Sequence, residues 1–282
     1  MSVNSNGSAS HTVNSFAPQS PRPWILAEAS YGQVRQLEYQ VAVLPMGATE
    51  PHNLHLPYGT DTIEATGLAE RICSEAWNLG AKVVMLPTIP YGTETNMQEF
   101  PLAMNLSPTT LFAVLTDLVA TVEKSGIRKL LIFNSHGGND FKPFLREICL
   151  KTEVKLFLCD WFRMVGDRQS DLFLHREDHA GEMETSLIMH MTPELVHYHA
   201  DGSLQADDGS VEPLRFEALQ KGWVSLTRPW HLLTTNSGSG NPHAASAEKG
   251  KQVADLVAER LVPFLVQLAA APIDATFPFA NP

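Results

Sequence analysis

Four apolar stretches punctuate the chain, and none of them alternates. Val41–Gly47 (VAVLPMG), Lys82–Gly92 (KVVMLPTIPYG), Lys129–Gly138 (KLLIFNSHGG) and Val154–Trp161 (VKLFLCDW) are hydrophobic almost throughout and rich in β-forming residues. Strands buried on both faces of a parallel sheet read this way, whereas half-buried strands alternate. Between them the pattern lengthens to the helical period. One helix is expected over Thr62–Leu79, after Asp61. In SPTTLFAVLTDLVATVEKSG, Ser107 stands as an N-cap, Pro108 opens the first turn and Gly126 closes the helix. Further helices open at Asp140, run through GEMETSLIMHM, and span about Ala245 to Ala271. The β-α-β-α order predicts an α/β fold with a mainly parallel sheet and helices on both faces.

Such sheets collect ligands beyond the carboxyl ends of their strands. LPMGATEPHNLHLPYGTD begins where the first strand stops, and it places Glu50, His52, His55 and Asp61 close together. SHGGND begins where the third strand stops and supplies His136. Two clusters of metal-ligand residue types therefore fall on one edge of the sheet. In an extended segment Glu50 and His52 share a face, and Pro51 keeps the segment extended. Asp61 either caps the helix that follows or offers its two oxygens to one or two cations. Gly137 and Gly138 permit a tight turn that presents the His136 imidazole into a cleft. A third cluster, HREDHAGEMETS, contributes His179, Glu182 and Glu184. Two carboxylates two apart on a helix cannot both face inward, and helical geometry leaves the choice open.

Competing readings of these residues are weaker. Ser135 beside His136 suggests a nucleophile and base, but Phe133 stands where a nucleophile elbow needs glycine. His190, His197, His199 and His231 lack acidic neighbours at useful spacing. Asp201, Asp207 and Asp208 read as a solvated acidic loop, and their spacing is not that of an EF-hand. Nitrogen and oxygen donors without cysteine suit Zn²⁺, Mn²⁺ or Fe²⁺, one or two per chain. A carboxylate bridging two ions would make a two-metal hydrolase site, where hydroxide forms near neutral pH and a carbonyl is polarised.

Composition narrows the partners. With 282 residues, 44% of them apolar, the chain can bury a sizeable core. A single domain is expected over residues 23–282, after a tail of residues 1–22 rich in Ser, Asn, Gly and Pro. A net charge of −11 and a pI near 5.4 argue against nucleic acid or anionic lipid as main partners. Cys73, Cys149 and Cys159 form no disulfide framework and read as small core residues of a reducing compartment. No apolar run is long enough to span a membrane, and the N-terminus lacks a basic-then-apolar secretory pattern. A cytoplasmic protein acting on a small molecule is the expectation.

Together LPMGATEPHNLHLPYGTD, NSHGGN, HAGEMETS and NPHAASAEKG resemble the creatininase (creatinine amidohydrolase) family, in that family's order, from about Leu44 to Gly250. The resemblance implies a three-layer α/β/α sandwich, commonly assembled as a hexamer, that hydrolyses amide C–N bonds at a two-metal site. By motif, Glu50, Asp61 and His136 resemble the ligands of one ion. His52 and Asp61 resemble those of the other, with Asp61 bridging. Glu184 matches an acidic site position, as a ligand or as the base on the water. His179 matches the histidine that moves a proton to the leaving nitrogen. Trp161 matches one of two tryptophans that flank creatinine, and His175 stands at the other position. Gly137 and Gly138 replace an aromatic residue and a metal-binding glutamate, and FPLA (Phe100 to Ala103) replaces FPGT. The resemblance thus implies an amidohydrolase that does not act on creatinine itself. Deformylating and precursor-peptide-trimming relatives share the HGGN motif, and His175 with Glu177 favours a polar substrate. The reading from another class is a non-catalytic metal-holding protein that binds a small ligand.

Overall fold

A computed structural model describes residues 22–176 and 178–280. The expected tail, apart from Arg22, and Glu177 lie outside the described residues. Strands β1 (Val41–Met46), β2 (Val83–Met85), β3 (Lys129–Asn134) and β4 (Lys155–Asp160) form one sheet in the order β2-β1-β3-β4, with every pairing parallel. The register sets Met46 beside Asn134 and Asn134 beside Asp160. The carboxyl ends of three strands are therefore level, and the segments that leave them start from one edge.

Five longer helices cover the two faces: α1 (Thr60–Asn78), α2 (Pro108–Lys124), α3 (Lys142–Ile148), α4 (Glu182–Met191) and α5 (Ala247–Ala270). Val41, Val43, Leu131 and Phe133 pack with Leu68 and Ile72 of α1 and Val257 and Leu261 of α5. The alternate residues Ala42, Leu44, Leu130 and Ile132 pack with Leu111, Leu115 and Val119 of α2. Continuous apolar strands and helices on both sides are one fact, because neither face of β1 or β3 meets water. The three-layer α/β/α arrangement is as expected.

Several boundaries move, for local reasons. Ser107 caps α2 by accepting the Thr110 N–H at 3.3 Å, with Pro108 in the first turn. β2 ends at Met85, since Pro87 and Pro90 cannot donate to a ladder, and Ile89 keeps only an isolated bridge to Met46. α3 opens at Lys142 rather than Asp140, with Pro143 in its first turn and no side-chain cap.

Lys129 opens β3 with a buried side chain, and its Nζ donates to the carbonyls of Leu268 (2.6 Å), Ala269 (3.3 Å) and Ala271 (2.5 Å) at the end of α5. The cation satisfies carbonyls that the helix leaves unpaired and sits at the negative end of its dipole. Lys129→Met should lower stability by about 2 kcal/mol. The check is a lower urea midpoint at unchanged slope.

Candidate metal centre

Glu50 and His52 come from the segment between β1 and α1, Asp61 from the first turn of α1, and His136 from the turn after β3. All four side chains are buried. Asp61 does not cap its helix, which has Gly59 at the N-cap and no side-chain cap bond. Its oxygens point inward instead. Oδ1 lies 3.3 Å from His52 Nε2, and Oδ2 lies 3.0 Å from His136 Nδ1. His136 Nδ1 is also 3.0 Å from Glu50 Oε1.

Each imidazole has an acceptor on its far side. His52 Nδ1 donates to the Glu50 carbonyl at 3.0 Å, and His179 Nε2 donates to the Pro51 carbonyl at 2.9 Å. That fixes the tautomers and turns His52 Nε2 and His179 Nδ1 toward the carboxylates, as second-shell partners do for metal-binding histidines. The His52 and His179 rings lie 4.2 Å apart, centroid to centroid.

Three triads place one donor atom from each member within 4.8 Å of the others: Glu50–Asp61–His136, His52–Asp61–Glu184 and Glu50–His52–His179. Asp61 belongs to two of them. A buried cluster of carboxylates and imidazoles is unfavourable unless compensated, and Asp61 Oδ2 has no hydrogen bond of good geometry. The donor chemistry and this convergence fit divalent cations.

The α4 carboxylates separate cleanly. Glu182 is turned away from the cleft, pairs with Lys249 and accepts the Leu174 and His175 N–H groups. Glu184 accepts the Ala180 N–H and lines the cleft. His55, although buried, faces away to Thr185 Oγ1 at 2.8 Å and joins none of the triads.

Two expected pocket residues are placed elsewhere. Trp161 is 1% exposed in the core, with its indole N–H donating to Ser135 Oγ at 2.8 Å. His175 is exposed on the segment before His179 and is not part of the cleft wall. The cleft, about 310 Å³, is bounded by Gly137, Phe162, Asn96, Arg228 and Trp230. Trp230 packs edge-on to His179 at 5.2 Å, and Arg228 lies over Trp230 while pairing with Asp178 at 2.7 Å. Neither Trp230 nor Arg228 carried a sequence signal beyond being an aromatic and a cation in a long irregular stretch. Phe100 and Ala103 of the altered FPLA segment pack beneath Trp230 with Met97. Ser135 Oγ accepts from Trp161 and donates to Glu64 at 3.2 Å, and among the described residues no imidazole is turned to it as base. That removes the serine-nucleophile reading.

Charge in the metal-free site follows from these contacts. Burial opposes a cation at His52, but the Asp61 carboxylate with Glu184 and Glu50 outweighs it and raises its pKa to about 10. Burial raises Glu184 to about 7. Burial, together with the charge on His52, lowers His179 to about 3. Between pH 6 and 8 the empty site therefore holds protons that an ion must displace from His52 and Glu184. Metal affinity should rise by about tenfold per pH unit for each proton displaced. Calorimetric titration across that range measures it, and a flat profile would place the ion elsewhere.

The fold and the buried donor set are those of an α/β protein with a group of side chains that could hold divalent cations, and the comparisons with known proteins make the class specific. The family model described as creatinine amidohydrolase matches residues 27–265, so the chain belongs to the creatininase family. It is 27% identical over 223 residues to the mycofactocin precursor peptide peptidase of Mycobacterium ulcerans, spanning 75% of this chain and 78% of that one. It is 27% identical over 176 residues to the creatinine amidohydrolase of Pseudomonas putida, spanning 55% and 66%. A Bacteroides fragilis protein, provisionally assigned as a creatinine amidohydrolase, superposes with a TM-score of 0.80 at 35% identity, covering 90% of this chain and all of that one. A manganese creatininase shares the fold, with a TM-score of 0.69 at 20% identity over 88% of this chain and 99% of that one.

Proposed function

We propose that this chain is a metal-dependent amidohydrolase that cleaves a non-peptide or cyclic amide or formamide C–N bond, and not that of creatinine. The observation that carries the reading is Asp61, one buried carboxylate shared between two triads of donors, with a third imidazole, His179, 3.8 Å from the neighbouring Glu50. Glu50, Asp61 and His136 would hold one ion, and His52, Asp61 and Glu184 the other. When bound, such ions lower the pKa of water and polarise a carbonyl.

The protein residues do the rest. His179 is neutral, its Nε2–H is tied to Pro51, and its Nδ1 lone pair faces the centre, 3.8 Å from Glu50. It is set to take a proton and return it to the departing nitrogen. Trp230 and Phe162 form the apolar wall that shields this exchange from bulk water. With Trp161 in the core and His175 off the cleft wall, neither residue at the two positions that flank creatinine in the family lines the cleft, and this supports excluding creatinine. A second reading, trimming of a peptide end, is favoured by the peptidase relative that matches over most of both chains. Arg228 at the cleft suits a substrate carboxylate.

The test is metal analysis of purified protein, followed by a panel of creatinine, formamides, cyclic amides and short peptides, for wild type and His179→Ala. Expected are about two ions per chain in both proteins and a kcat lower by about 10²–10⁴ in the variant. A variant that keeps full turnover would exclude the proton-transfer role. An ion lost with His179 would make it a ligand instead.

A further inference from the structure

His136 is held from both ends. Its Nδ1 meets Glu50 and Asp61, and its Nε2 lies 2.8 Å from Glu94 Oε1 and 3.3 Å from the Thr93 carbonyl. Glu94 is fully buried, and neither of its oxygens accepts a hydrogen bond of good geometry. The His136 ring is the one cationic group within ion-pair distance of it among the described residues. The other close neighbours of Glu94 are the carboxylates of Glu50 and Asp61, so a packing role does not account for it, because a neutral side chain would fill the space without the cost of desolvation.

The surrounding chain is shaped to keep this contact. The Glu94 N–H donates to Asn105 Oδ1 at 2.7 Å, and the Thr93 N–H donates to Asn139 Oδ1 at 3.1 Å. Asn139 in turn donates to Asn134 Oδ1 at 3.2 Å, which also accepts the His136 N–H at 3.2 Å. The two asparagines of NSHGGN therefore tie the His136 turn to the Glu94 loop. A Cβ at Gly138 would fall 2.3 Å from His136 Nε2 and 2.6 Å from the Thr93 oxygen. One at Gly92 would fall 3.0 Å from His136 Cδ2. Side chains at either position would push the ring off Glu94.

We propose that Glu94 is the positioning residue of the metal centre: its Oε1, 2.8 Å from His136 Nε2, keeps the ring's proton on that nitrogen and so leaves Nδ1 to an ion shared with Glu50 and Asp61. The carboxylate fixes the tautomer and the ring plane and makes Nδ1 the better donor, as outer carboxylates do for metal-bound imidazoles. Glu94 itself loses no proton in this role, and the ion takes the place of any proton on His136 Nδ1. The glycine at 138 follows from it, since the space beside Nε2 is needed for the Glu94 contact.

The inference rests on the metal-centre reading, and Co²⁺ as probe separates the two. Metal-free wild type, Glu94→Ala and Glu94→Gln are titrated with Co²⁺, following the visible ligand-field spectrum and the calorimetric affinity. The expected result is an affinity weaker by about 10–100-fold in Glu94→Ala, with an altered spectrum. Glu94→Gln, which keeps an acceptor oxygen, should recover most of the affinity. Unfolding of the metal-free proteins should be similar, which distinguishes this role from general support of the fold. An unchanged affinity in Glu94→Ala would overturn the proposal. So would complete loss of one Co²⁺ in both variants, which would make Glu94 a direct ligand. Wild type that binds no Co²⁺ at all would overturn the metal-centre reading itself, and this inference with it.

Discussion

Asp61→Asn should reduce the chain from about two bound ions to one or none and lower turnover by about 10³-fold or more. The argument starts from geometry. Oδ1 serves the His52 side at 3.3 Å and Oδ2 the His136 side at 3.0 Å, so a single side chain enters both triads. Asparagine keeps the volume and one acceptor oxygen, but its amide nitrogen cannot ligate a cation. Losing an outer-shell partner typically costs 10–100-fold in affinity or activity, and a shared inner ligand must cost more. The fold should survive, because Asp61 makes no cap bond and α1 is held by Leu68 and Ile72 in the core. Metal content by mass spectrometry, circular dichroism and turnover on one amide substrate settle it. A variant that retains both ions and most activity would mean that Asp61 does not bridge.

The sheet was readable because its strands are buried on both faces, which leaves continuous apolar runs, and because each run ends in glycine or proline or in a polar cluster. Glu50, His52, Asp61 and His136 were readable for a related reason: strand ends at one sheet edge concentrate donors into short motifs. Helical geometry did not separate Glu182 from Glu184, and only the family resemblance favoured Glu184, since the physical choice depends on Lys249, sixty-seven residues from Glu182 on α5. Trp161 was misplaced because its aromatic character does not tell whether the ring faces the cleft or Ser135. Glu94 was missed altogether. Its only local sign is an acidic residue two places after Gly92, nine residues past the end of β2, and its partner lies forty-two residues on. Trp230 and Arg228 belong to a long irregular segment whose path is set by tertiary contacts, so no periodicity could assign them to the cleft.

Lys249→Met should destabilise the protein by about 3–5 kcal/mol, the usual cost of removing one partner from a buried ion pair. Glu182 is completely buried, and Lys249 is its cationic partner, itself only a quarter exposed. Without Lys249 the carboxylate would keep two backbone donors, the Leu174 N–H at 2.8 Å and the His175 N–H at 3.1 Å, but no countercharge. The contrast with a neutral pair decides whether charge or packing is responsible. Glu182→Gln combined with Lys249→Met retains an acceptor for those two N–H groups and removes both charges, so most of the lost stability should return. Urea denaturation of the three proteins measures both steps. The pair also matters for the site, because Glu182 anchors the segment that leads into His179, four residues beyond His175. If that anchor sets the imidazole, the single variant should lose turnover beyond its loss of folded protein, whereas the double variant should recover it. Equal stability of all three would instead show that α4 and α5 are held by their apolar contacts alone, with the ion pair contributing nothing to either fold or site.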